Sequence, residues 1–250
     1  MSLRRAAVKR VRSSVEKMIR CSALASLLVF LLSTGACSPN RGGNEEHARR
    51  GFVLSSVPKE IEKEQRYLFY LHGAIIEEQG VRPVSPEFGV YEYEAILDSL
   101  AVEGFVVISE VRGPHTDGKT YAHKVAAQID TLLAAGVAPE HVSVVGFSKG
   151  GGIAVIVASL VENNDVNYVF MATCVNWIRA WPRLNLRGRI LSVYEASDNI
   201  AGSCADAFRA MGLETEHVEL ELHIGEGHGS FYRPRSEWLA PVFDWLTERG

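Results

Sequence analysis

VSVVGFSKGGG, residues 142 to 152, sets Ser148 between Gly146 and Gly150 immediately after a run of β-branched residues. A serine in a G-x-S-x-G turn takes a strained backbone conformation, and its flanking positions can carry almost no side chain if strand and helix are to pack closely. Val142, Val144, Val145 and Phe147 make an apolar run suited to a parallel strand buried on both faces. Downstream, GGIAVIVASLVE is small and apolar without a polar face, as expected of a helix packed in the interior. Strand, tight turn and helix therefore follow in the order of a nucleophile elbow.

Downstream of the elbow helix, RGRILSVYEASDN reads as a strand from Ile190 to Tyr194 that runs into a polar loop presenting Asp198. Glu195, three residues earlier, is the alternative acid if the strand ends sooner. HVELELHI then alternates and ends in GEGHGSFY, which places His228 in a glycine-flanked loop. The intervals of 50 residues from Ser148 to Asp198 and 30 from Asp198 to His228 leave room for the intervening strands and helices. Upstream, RYLFYLHGA is a further apolar strand that breaks at His72-Gly73.

The rest of the chain alternates in the same way. Strands are expected at 67–71, 105–109, 142–146, 167–172, 189–194 and 216–222. Helices are expected near 91–102, 119–135, from the elbow to about 161, at 203–211 and at 236–248. Such alternation predicts an α/β fold, a mostly parallel, doubly wound sheet with helices on both faces and functional groups gathered at the carboxyl ends of the strands.

On His72-Gly73, the Gly146-to-Gly150 elbow, Asp198 and His228, the chain from about Tyr67 onward resembles the α/β-hydrolase superfamily. The likeness is to its small members without a large cap, the dienelactone hydrolase and carboxylesterase group. Dienelactone hydrolases proper carry a cysteine at the elbow, so Ser148 argues against transferring their substrate. The resemblance implies acyl transfer from a carboxylic ester, with Ser148 as nucleophile, His228 as base and Asp198 orienting the imidazole. It also implies an oxyanion hole from the backbone N–H groups of Ala74 and Lys149. A catalytically silent binding or scaffold protein on the same shell, a serine peptidase of the prolyl-oligopeptidase type and an acyltransferase remain alternatives.

Beside this site, Arg112 follows the strand FVVISEV and is a candidate for a substrate carboxylate or phosphate, against the ordinary solvated loop arginine. Glu77 and Glu78 either line the pocket or sit exposed at a helix start. Trp177 and Trp181 lie where relatives insert a cap; they either wall the pocket or pack at the core rim. His72 reads as structural, and His115, His123, His141 and His223 as surface or strand residues. No cluster has metal-ligand spacing, and no cofactor is implied.

The first 36 residues differ in composition from the remainder of the chain. They hold seven basic residues and one acid, leaving 19 basic against 29 acidic residues beyond them, a net charge of −10. That charge, with no basic stripe, excludes nucleic acid as an expected partner. The basic opening, the apolar run from Ala23 to Leu32 and the small residues of STGAC have the architecture of a secretory signal. The run is too short to span a bilayer, which takes about 20 apolar residues. Met18 opens a more compact version of the same leader and is a candidate translation start. Gly35-Ala36-Cys37 resembles a bacterial lipobox, with Thr34 where leucine is preferred; the alternative is plain secretion with cleavage after Ala36.

The expectation is thus an envelope protein facing the periplasm through a lipid on Cys37, with a signal over 1–36, a tether over 37–60 and one catalytic domain over 61–250. Cys174 and Cys204 remain in that domain. In an oxidising compartment they either form a bridge or stay as buried thiols.

Overall fold

The computed structural model describes residues 51–175, 184–213 and 215–248. Its strands are β1 (Phe52–Leu54), β2 (Arg66–Leu71), β3 (Val84–Ser85), β4 (Gly89–Val90), β5 (Phe105–Ile108), β6 (Val142–Phe147), β7 (Asn167–Met171), β8 (Arg189–Glu195) and β9 (His217–Leu222). Its helices are α1 (Ala74–Gln79), α2 (Tyr93–Val102), α3 (Gly118–Ala134), α4 (Lys149–Leu160), α5 (Ala205–Met211) and α6 (Ser236–Thr247). Apart from the small antiparallel hairpin β3–β4, the described strands form one sheet in the order β1-β5-β2-β6-β7-β8-β9, with every pair parallel.

The period-two alternation of each strand divides the core between two faces. Tyr67, Phe69, Val144, Tyr168 and Phe170 join α3, α4 and α5 on one side. Leu68, Tyr70, Val145, Val169 and Met171 join α2 and α6 on the other. Strands buried on both faces favour apolar residues on both, which explains why β2, β6 and β7 read as nearly continuous apolar runs. Every residue of α4 from Gly150 to Ala158 is buried, matching a helix that is apolar all round.

One boundary is corrected. The tether expected to reach residue 60 ends sooner, because Phe52–Leu54 pairs in register with Val106–Ile108 as an edge strand and Leu54, Val57 and Ile61 pack against the core. A three-residue, half-exposed strand buries too little to leave an apolar run in the sequence. The signal segment, Cys37, Trp177 and Trp181 lie outside the described residues.

Candidate active site

Ser148 sits between the end of β6 and the first residue of α4 with φ 52° and ψ −118°, a left-handed conformation rare for a residue with a side chain. The flanking glycines are sterically required. A Cβ on Gly146 would lie 2.4 Å from the carbonyl oxygen of Gly150, and one on Gly150 would lie 1.8 Å from that of Leu71. Absence of these side chains lets α4 start directly against β2.

Asp198 and His228 arrive from the ends of β8 and β9. The His228 Nδ1–H donates to Asp198 Oδ2 at 2.7 Å, which leaves Nε2 to accept from the Ser148 hydroxyl at 2.9 Å. The side chains of Asp198 and His228 are 0% and 7% exposed, so this pair is shielded from solvent competition. Asp198 Oδ1 also accepts the N–H groups of Ile200 and Ala201, fixing the carboxylate within its own turn. Three residues 80 positions apart at their extremes are thus hydrogen-bonded in sequence.

Glu195 is not the partner of the histidine. Its buried carboxylate accepts from the N–H groups of Ile224 and Gly225 and from the hydroxyl of Ser197, whose oxygen in turn accepts the Gly227 N–H. Burial pushes its pKa up, but these donors outweigh burial and hold it below the ordinary glutamate value. Glu195 therefore ties the Asp198 loop to the His228 loop, a role that sequence reading missed because its donors are backbone groups 29 and 30 residues away. Phe88, carried by the β3–β4 hairpin, also escaped notice; its ring centre lies 6.2 Å from that of His228.

Ala74 and Lys149 are the first residues of α1 and α4, where N–H groups have no intrahelical acceptor. A Cβ on Gly73 would lie 3.7 Å from Ser148 Cβ, so the His72-Gly73-Ala74 turn abuts the elbow.

Arg112 departs from expectation. Its side chain is 0% exposed, with Nε donating to Glu77 Oε1 at 2.8 Å and Nη2 donating to the His72 carbonyl. The backbone N–H of Arg112 donates to His72 Nε2 at 2.9 Å. It cannot serve as a free ligand for a substrate anion, because burial obliges a guanidinium to be paired and the partner is already in place. Glu77 is buried in this pair, whereas Glu78 is exposed.

His72 Nε2 accepts the Arg112 N–H while Nδ1–H donates to the Gly73 carbonyl, so the ring is neutral, and burial followed by the nearby Arg112 charge lowers its pKa to about 4. The unfolded chain, with an ordinary histidine value near 6.5, binds this proton first. Stability supplied by neutral His72 is therefore present above pH 6.5 and is lost as pH falls through 4, by about 3 kcal/mol. Urea unfolding at pH 7 and pH 4 should show a smaller decrease for His72→Gln than for the native chain; equal decreases in the two proteins would remove this assignment.

A cavity of about 590 Å³ opens beside Ser148, bounded by Ile153, Ile156, Val175 and Ile200, with Asp117 and Lys119 also lining it. Its size is ordinary for small-molecule sites. A second hollow of about 710 Å³, lined by residues such as Val53, Tyr91 and Leu97, does not include Ser148, Asp198 or His228. Cys174 and Cys204 are disulfide-bonded, with Cα atoms 5.1 Å apart. Among the described residues no group of three or more His, Cys, Asp or Glu side chains is placed to hold a metal ion.

No protein-family model and no curated protein sequence matches the chain. Solved structures do. An alpha/beta hydrolase enzyme from a metagenome of lagoon sediments at Mar Chica, Morocco, MGS-MChE2, is 15% identical, with a TM-score of 0.51, over 75% of this chain and 93% of that one. Esterase PE8 is 13% identical, with a TM-score of 0.50, over 78% of this chain and 96% of that one. Identities this low speak to architecture alone, and with the seven-stranded parallel sheet flanked by helices they show that the chain has the α/β-hydrolase fold.

Proposed function

We propose that the protein is a serine hydrolase that cleaves carboxylic esters through an acyl-enzyme on Ser148. The observation that carries this reading is the partly buried Ser148–His228–Asp198 hydrogen-bond chain, ending on a serine held at positive φ at the mouth of α4. Ser148 Oγ attacks the ester carbonyl as His228 Nε2 takes its proton, and Asp198 stabilises the resulting imidazolium. The tetrahedral oxyanion accepts from the N–H groups of Ala74 and Lys149. Collapse breaks the bond to the alcohol, which leaves with the proton from His228. Water, deprotonated by the same imidazole, then releases the acid and restores the serine. The apolar cavity beside Ser148 suits one hydrocarbon arm of the ester.

The same reading places the enzyme outside the cytoplasm, tethered by a lipid on Cys37. The basic-apolar-small leader supports export, and a Cys174–Cys204 bridge fits an oxidising compartment. Radiolabelled palmitate should enter the native chain and not Cys37→Ser when both are expressed in bacteria; unlabelled native protein would remove the anchor. The test of the chemistry is labelling of the folded protein with a fluorophosphonate and mapping of the modified residue, expected at Ser148.

A further inference from the structure

Two backbone N–H groups can share one oxyanion only if the segments bearing them are held at a fixed separation, and here they lie on different segments. Ala74 opens α1, after β2, and Lys149 opens α4, after β6. The sheet register, with Leu71 opposite Gly146, aligns the two strand ends but leaves the residues beyond them to be fixed by side chains.

Glu77, on the first turn of α1, supplies that fixing. Its Oε1 takes Arg112 Nε at 2.8 Å and its Oε2 takes Lys149 Nζ at 2.5 Å. Arg112 returns to the oxyanion turn through the His72 carbonyl, and Lys149 Nζ also donates to the Thr116 carbonyl at 2.9 Å. The side chains of Glu77 and Arg112 are 3% and 0% exposed, while that of Lys149 is 32% exposed. One buried carboxylate is therefore shared by two cations. One of those cations bonds the His72 carbonyl, one peptide before the Ala74 N–H, and the other belongs to the second donor residue itself.

We infer that Glu77, with Arg112, is a positioning residue that clamps the α1 and α4 starts together and so sets the spacing of the Ala74 and Lys149 N–H donors. The inference rests on the hydrolase reading. An exposed ion pair would contribute little to geometry, but a buried carboxylate bonded through both oxygens has a single arrangement. A misplacement of about 1 Å in such a site costs on the order of 100-fold in rate. Because the donors act on the tetrahedral state, the loss falls on kcat rather than on substrate binding.

The test compares native protein, Glu77→Gln and Lys149→Met on p-nitrophenyl butyrate. It adds an aliphatic trifluoromethyl ketone, which forms a tetrahedral oxyanion on the serine, and the matching carboxamide, which does not react. Glu77→Gln should lower kcat about 10- to 100-fold with KM within about twofold. It should weaken the trifluoromethyl ketone by the same factor as kcat and leave the carboxamide unchanged. Lys149→Met keeps the backbone donor and the Arg112–Glu77 pair, and should show the same pattern with a smaller loss. A native-like kcat in folded Glu77→Gln, or equal weakening of ketone and carboxamide, overturns the clamp. If Glu77→Gln does not fold, Lys149→Met decides alone, and unchanged ketone affinity overturns it. Failure of native protein to take fluorophosphonate at Ser148 is a separate result and removes the hydrolase reading beneath.

Discussion

Ser148 should be the residue a fluorophosphonate modifies, and Ser148→Ala should take no label and lose ester hydrolysis by a factor on the order of 10⁵ to 10⁶ in kcat. The magnitude follows from what the substitution removes. Without the hydroxyl there is no covalent route, and the remaining catalysis comes from the N–H donors and from binding, typically 10³- to 10⁴-fold over water. In free energy the loss is about 7 to 8 kcal/mol of transition-state stabilisation. Stability should barely change, because the strained φ of 52° is set by the elbow and alanine tolerates it no worse than serine. Label on another serine, or hydrolysis that survives Ser148→Ala at more than a hundredth of the native rate, would sink the assignment.

The same experiment separates the hydrogen-bond chain from a coincidence of packing. Residues that act as a unit are non-additive, so adding His228→Ala to Ser148→Ala should cost almost nothing further. Asp198→Asn should cost less than either single change, since the imidazole stays in place but its Nδ1–H loses its anionic acceptor. Asp198 Oδ1 is taken by the Ile200 and Ala201 N–H groups, so Oδ2 is the oxygen that serves the ring.

Much of this arrangement was legible along the chain because its signals are local. Strands β2, β6 and β7 are buried on both faces and so are apolar at most positions, and Gly146 and Gly150 are needed where α4 starts against a neighbouring strand end. Asp198 and His228 follow strand ends in polar or glycine-flanked loops, which is where side chains reach the edge of a parallel sheet. The parts that escaped are those decided across the fold. Phe52–Leu54 is too short and too exposed to show a pattern, and α1, with six residues, has fewer than two turns of periodicity.

Arg112 shows the limit most clearly. Solvation is the default for a loop arginine, and nothing adjacent marks its burial, since its partner Glu77 lies 35 residues earlier and its second acceptor is the His72 backbone. Glu77 itself stands beside Glu78 in a stretch that reads as an exposed helix start; only the fold distinguishes the buried carboxylate from the solvated one. Charged residues become legible when paired, and pairs distant in sequence are visible only in three dimensions.

Replacing both Cys174 and Cys204 by serine should lower the unfolding free energy by about 3 to 4 kcal/mol, the chain-entropy value for a closed loop of roughly 30 residues. In a domain of this size that corresponds to a fall of about 10 °C in Tm. The bridge joins the end of β7 to the segment that follows Asp198, where the Gly202 N–H also donates to the Cys174 carbonyl at 3.2 Å. The serine variant should therefore unfold more readily, yet keep most of its activity at low temperature, because Asp198 is fixed by Ile200, Ala201 and His228 independently of the sulfurs. Urea titrations of the native and double-serine proteins, with activity measured at each concentration, provide the check. A difference below about 1 kcal/mol would mean that the β7–β8 ladder and the Cys174–Gly202 pairing already hold this edge without the bridge.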